Sequence, residues 1–144
     1  EYMFGDQLLI APIGQPTVNG KTKPRIWLPE GQWYELADLF TDSIPNELQL
    51  IEGGQVLERE YTIHQYPIFI KAGSLLPLQE EKGLTLYAFP GDPSCFELYS
   101  DEGNNADYDQ AHSLLQCFYD GLQTVTYSDP MAAKALTLCV KKAR

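Results

Sequence analysis

An all-β fold is predicted for this chain of 144 residues: an antiparallel β-sandwich over residues 1–80, followed by part of a second β-sandwich over residues 81–144. Three observations predict it. The apolar runs, such as Leu8-Leu9-Ile10-Ala11 and Ile68-Phe69-Ile70, are short and rich in β-branched or aromatic residues, which suits a pleated surface better than a helix. Turn-forming residues punctuate them at Pro29-Glu30-Gly31, Gly53-Gly54, Ala72-Gly73-Ser74 and Pro90-Gly91-Asp92-Pro93. A hydrophobic fraction of 44% with 12% aromatics supplies a core and argues against global disorder.

Taken in order, Leu8 to Ala11 is a strand closed by Pro12, and Gly14 to Pro24 is a loop rich in Gly, Pro, Asn and Lys. Arg25 to Leu28 reads as a strand. Pro29-Glu30-Gly31 then turns the chain, because proline pre-sets φ and glycine follows two residues later. Gln32 to Leu36 is the return strand of a hairpin. Gly53-Gly54 turns into Gln55 to Thr62. Pro67 and Pro77 donate nothing to a ladder, so they belong at strand starts or edges. Gln79-Glu80-Glu81-Lys82-Gly83 reads as a charged connector and sets the boundary near residue 80. Beyond it, Leu84 to Phe89 and Cys95 to Tyr99 alternate as half-buried strands, and Leu114 to Tyr119, Gln123 to Tyr127 and Ala135 to Val140 read as further strands. Asp129-Pro130-Met131 suits the start of a short helical turn.

Composition excludes several classes of function. A net charge of −10 points away from nucleic acid and anionic membrane surfaces, which attract basic patches. No apolar run approaches the roughly 20 residues of a membrane-spanning helix, and no basic-then-apolar leader opens the chain, so a soluble chain is expected. Cys95, Cys117 and Cys139 show no CxxC spacing, which argues against zinc. They read as buried free thiols, with a Cys95–Cys117 bridge as the alternative in an oxidising compartment. His64 and His112 stand in no triad or metal spacing, and there is no Gly-x-Ser-x-Gly elbow, dinucleotide fingerprint or phosphate-binding loop. No catalytic, cofactor-binding or metal-binding residue is assigned.

Certain blocks, in fixed order, resemble a known family. These are Gly5-Asp6-x-Leu8-Leu9-x-Ala11-Pro12, Leu28-Pro29-x-Gly31-x-Trp33-Tyr34, Gly53-Gly54 and Pro67-Ile68-Phe69-Ile70-Lys71-Ala72-Gly73-Ser74, and then Phe96-x-Leu98-Tyr99-x-Asp101-x-Gly103 followed by Tyr108. They resemble the region just after the catalytic barrel of family 31 glycoside hydrolases, the α-glucosidases and α-xylosidases. The resemblance implies a proximal C-terminal sandwich, part of a distal one and an upstream barrel as the partner. It also implies a parent enzyme that is a retaining α-glycosidase acting on carbohydrate, with two carboxylates about 5 Å apart. None of the carboxylates here matches the family's catalytic motif. The chain, which opens on Glu1, thus reads as a fragment that is inactive alone.

Five further expectations follow. Asp6 lies nearest the barrel's end and reads as a structural hydrogen-bonding residue at a strand start. Asp101, Glu102, Asn104, Asn105, Asp107 and Asp109 read as a solvated acidic turn, with calcium as the alternative. Trp27, Trp33 and Tyr34 are candidates for a sugar-stacking platform, but core or interface packing is the expected role. Since Trp33 and Tyr34 are sequence neighbours, alternation lets at most one of them face a ligand. The platform reading corresponds to an alternative function, a stand-alone carbohydrate-binding module. An incomplete second sandwich would leave an exposed edge, so the segment from Leu114 onward is expected either to pair between chains or to be poorly ordered.

Overall fold

A computed structural model describes residues 1–36, 44–100 and 113–144. The architecture is all-β. The chain divides into two compact units: Glu1–Ala72 together with Lys141–Arg144, and Gly73–Val140. The first carries β1 (Tyr2–Phe4), β2 (Leu8–Ile10), β3 (Lys21–Thr22), β4 (Arg25–Leu28), β5 (Gln32–Glu35), β6 (Glu47–Leu48), β7 (Leu50–Glu52), β8 (Gln55–Glu58), β9 (Tyr61–Thr62) and β10 (Ile68–Lys71). The second carries β11 (Leu75–Glu80), β12 (Gly83–Ala88), β13 (Ser94–Ser100), β14 (Ser113–Tyr119), β15 (Val125–Tyr127), a 3-10 turn over Ala132–Ala135 and β16 (Thr137–Val140). The chain then returns to the first unit as β17 (Lys142–Ala143).

In the first unit a five-stranded sheet runs β1-β2-β10-β5-β7, and β4 pairs with β8 in a separate layer. Between them lies a core of Leu9, Ala11, Ile26, Leu28, Trp33, Ile51, Tyr61 and Phe69. Strand alternation explains the sorting: in β4, Ile26 and Leu28 are buried while Arg25 and Trp27 face out.

The expected hairpin of Arg25–Leu28 with Gln32–Leu36 is not formed. Instead β4 pairs with β8 and β5 with β7, and the registers Leu28↔Gln55 and Gln32↔Glu52 flank two facing turns. The result is one antiparallel ribbon that bends between layers at Pro29–Gly31 and Gly53–Gly54. Backbone bonds hold the bend: Gly53 N donates to Gly31 O (2.6 Å) and Gly54 N to Leu28 O (2.8 Å). The turn chemistry was legible; the strand that each arm would choose was not, because that choice depends on which apolar faces meet across the core.

In the second unit β11-β12-β16 and β13-β14-β15 form two three-stranded sheets. Leu75, Leu86 and Ala88 of the first cluster with Leu98, Leu115, Cys117, Tyr119 and Val125 of the second. The expected connector at Gln79–Gly83 is the end of the β11–β12 hairpin, where Glu80 pairs with Gly83. Pro77 lies inside β11, an edge strand, so its missing N–H breaks no ladder. Asp129 Oδ1 accepts from the amides of Met131 (3.0 Å) and Ala132 (3.3 Å), which starts the expected helical turn. Two pairings are parallel, β12 with β16 and β6 with β17, in an otherwise antiparallel fold. β14 takes β13 and β15 on either side within the same chain, so the strand from Leu114 onward is paired internally.

Candidate functional site

The aromatic candidates separate cleanly. Trp33 is 1% exposed, and its Nε1 donates to the Pro29 carbonyl (3.0 Å), so the indole is core and also braces the ribbon's bend. Tyr34 is equally buried, and burial raises its phenol pKa. Neither faces a ligand. Trp27 is 47% exposed on the outer face of β4, directly across from the exposed Val56 of β8. Its backbone N–H donates to the Glu1 carboxylate (3.1 Å), which places the start of β1 beside it. All three residues of β1, Tyr2, Met3 and Phe4, are exposed, Phe4 at 64%. Tyr2, Met3 and Phe4 on this edge strand, with Trp27 and Val56 on β4 and β8, are thus large apolar side chains left exposed.

Asp6 is exposed at the tip of the β1–β2 hairpin and makes no hydrogen bond to the described residues, so the expected bond at a strand start is not formed. His64 is exposed in a loop. His112 and the acidic turn Asp101–Asp109 lie outside the described residues. Among those described, no three His, Cys, Asp or Glu gather into a group that could hold a metal. The three cysteines are free: Cys95 is exposed, Cys117 buried and Cys139 intermediate. Cys95 pairs with Phe118 and Cys117 with Phe96, so alternation sets the two thiols on opposite faces of one sheet and rules out their bridge. Burial raises the Cys117 thiol pKa further, which leaves it an inert core residue.

One cluster had no counterpart in the sequence reading. Glu35 shares the inner face of β5 with Trp33, so its carboxylate enters the end of the sandwich core. There the Arg59 guanidinium pairs with Oε2, and the Tyr61 hydroxyl donates to Oε1 (2.5 Å). Burial first, then the bond to Glu35, pushes the Tyr61 phenol far above its ordinary value. These three residues line a cavity of about 320 Å³, whose other walls include Leu36, Ile51 and Gln49. The available signal was the period of two: a carboxylate two residues after Trp33 must share its face, and a buried charge requires a partner. Lys141 was also missed. It is buried at the end of the first unit, where its Nζ donates to the Ile44 carbonyl (2.7 Å) and anchors the returning C-terminal strand.

Fold and site together describe a β-sandwich region with exposed apolar side chains on an edge strand. Residues 1–76 match the glycosyl hydrolase family 31 C-terminal domain. The chain belongs to glycosyl hydrolase family 31. It is 31% identical over 120 residues to an α-xylosidase of Saccharolobus solfataricus, covering 76% of this chain and 15% of that protein. It is 29% identical over 124 residues to α-glucosidase 2 of Bacillus thermoamyloliquefaciens, covering 79% and 14%. The solved GH31 α-xylosidase of Xanthomonas citri superimposes with a TM-score of 0.67 at 27% identity, covering 83% of this chain and 13% of that one. The chain thus spans about 15% of the length of the curated relatives it matches.

Proposed function

We propose that this chain is the non-catalytic C-terminal region of a retaining α-glycosidase, supporting an upstream catalytic barrel that hydrolyses α-glucosides or α-xylosides. The match of residues 1–76 to the family's C-terminal domain carries this reading. In it, the first unit, residues 1–72 with 141–144, is the proximal sandwich and the second, residues 73–140, part of the distal one. The exposed strip of Tyr2, Met3, Phe4, Trp27 and Val56 is the surface that meets the barrel. Such support bears on the chemistry because displacing catalytic groups by about 1 Å can slow a reaction roughly a hundredfold. Association of copies through an open sheet edge is a further part of the proposal.

The test compares hydrolysis of nitrophenyl α-glucoside and α-xyloside by the full gene product and by this chain alone. Activity in the long protein and none in the chain is the expected result, and the preferred sugar then names the substrate. Turnover that follows the purified chain would overturn the proposal. The carbohydrate-binding-module reading has lost most of its platform, since Trp33 and Tyr34 are core and Trp27 alone is exposed.

A further inference from the structure

From the cavity of the first unit lined by Glu35, Arg59 and Tyr61 we infer a binding site for a single neutral sugar. Four observations carry this inference. Its volume of about 320 Å³ lies at the lower end of ligand sites, which run from about 300 to 1,000 Å³. Its walls are mixed, with Leu36 and Ile51 offering an apolar surface for C–H groups and Arg59, Glu35 and Gln49 offering donors and acceptors for hydroxyls. Its charges are matched inside the protein, Arg59 to Glu35 and the neighbouring Glu60 to Lys21, so neither an anion nor a cation is favoured. Its polar groups keep hydrogen-bonding capacity. Arg59 commits Nη1 to Glu35 and has further N–H donors, and each Glu35 oxygen accepts one bond while holding a second lone pair. A polyol, with adjacent hydroxyls that each donate and accept, fits such paired donors and acceptors better than a purely apolar or a charged ligand does.

The framework is also rigid in the way a ligand site needs. Tyr61 and Ile51 belong to the buried core, and the Tyr61 hydroxyl fixes the Glu35 carboxylate from below while Arg59 holds it from the side. Binding would therefore require little reordering of side chains. This site differs from the Trp27 surface, so the two can be told apart residue by residue.

The test is a titration of this chain with methyl α-glucoside and methyl α-xyloside, followed through backbone amide NMR shifts. Saturable shifts centred on Glu35, Leu36, Ile51 and Tyr61 are expected, in the millimolar range. Arg59→Gln should weaken binding about tenfold or more, as expected for loss of a charge-assisted hydrogen bond. Should Arg59→Gln fail to fold, Gln49→Ala serves instead, because Gln49 is exposed and its removal leaves the core intact. A several-fold weakening by Gln49→Ala with unchanged melting supports the site. No saturable shift, shifts centred on Trp27 and Val56, or wild-type binding by the folded variants would each overturn it.

Discussion

The two compact units each hold a core cluster of eight buried residues, of unequal content. Outside these clusters the described residues of the first unit also bury Tyr34, Ile68 and Ile70, and those of the second Leu76, Tyr87 and Phe89. The first cluster has three aromatics, Trp33, Tyr61 and Phe69, with the β-branched Ile26 and Ile51. The second cluster has one aromatic, Tyr119, and one β-branched residue, Val125, among leucines, an alanine and a cysteine. Both units also place a glutamate under a tyrosine hydroxyl, Glu35 under Tyr61 and Glu80 under Tyr87, and Glu35 further pairs with Arg59 and lines a cavity. Aromatic side chains bury about 150–250 Å² each, so the first cluster removes more apolar area from water with the same number of residues. The lesson is that burial counts alone do not rank two sandwiches; the size of what is buried does. The first unit should therefore be the more resistant to unfolding, with the slowest amide exchange in β5 and β10. Slowest exchange in β12 or β14 would reverse that ranking.

The largest effect that sharpens this contrast is Trp33→Ala, expected to cost about 3–5 kcal/mol in urea unfolding, since it empties a core position and removes the brace on Pro29. Its counterpart in the second unit, Cys117→Ala, should cost about 1 kcal/mol. A Trp33→Ala loss below that of Cys117→Ala would contradict the core role of Trp33. Next in size is Gly53→Ala. A β-carbon there would overlap the Pro29 carbonyl oxygen, inside the ribbon's bend, for a cost of about 3 kcal/mol. Gly14→Ala meets nothing and should stay within about 0.5 kcal/mol. Equal melting temperatures for the two variants would show that the bend yields.

The polar clusters give the third comparison. Glu35→Ala strips a half-exposed guanidinium and a buried phenol of their partner and should cost about 2 kcal/mol, allowing for solvent around Arg59. Glu80→Ala, at an exposed hairpin end, should cost about 1 kcal/mol or less. A Glu35→Ala loss no larger than that of Tyr61→Phe would mean that Arg59 contributes nothing beyond the hydrogen bond.

Much of this was readable in the residues, and the exceptions share a cause. Alternation sorted β4, and turn chemistry located Pro29–Gly31 and Gly53–Gly54, because both depend on near neighbours. The pairing of β4 with β8, the return of Lys141 to Ile44 and the meeting of Glu35 with Arg59 depend on groups 24 or more residues apart, where local propensity is silent. The connector reading of Gln79–Gly83 failed for a related reason: a charged, glycine-ended stretch is as good a hairpin end as a linker, and only the apolar strands flanking it decide. The candidate docking strip was half legible, since Trp27 was singled out while nothing local in Tyr2, Met3 and Phe4 marks them as exposed. β1 is an edge strand of its sheet, and among the described residues its side chains stay exposed.

The smallest effect concerns pH and separates the two glutamate–tyrosine pairs most finely. In the second unit the hydrogen bond to Glu80, and then burial, push the Tyr87 phenol up to about 12. An unfolded tyrosine ionises near 10. The folded state thus holds its proton more tightly, and the stabilisation is fully present below about pH 10 and lost as pH rises through about 12. Tyr87→Phe should cost about 1 kcal/mol or less at neutral pH, since Glu80 retains the Thr85 hydroxyl (2.7 Å). It should also flatten the fall in unfolding free energy between pH 10 and 12, whereas Tyr61→Phe should flatten it further into alkali, because the Tyr61 phenol is shifted beyond that of Tyr87. Urea midpoints measured across that range check both. If Tyr87→Phe keeps the full alkaline slope, the proton on Tyr87 is not what couples the second unit to pH, and the resemblance between the two pairs ends at geometry.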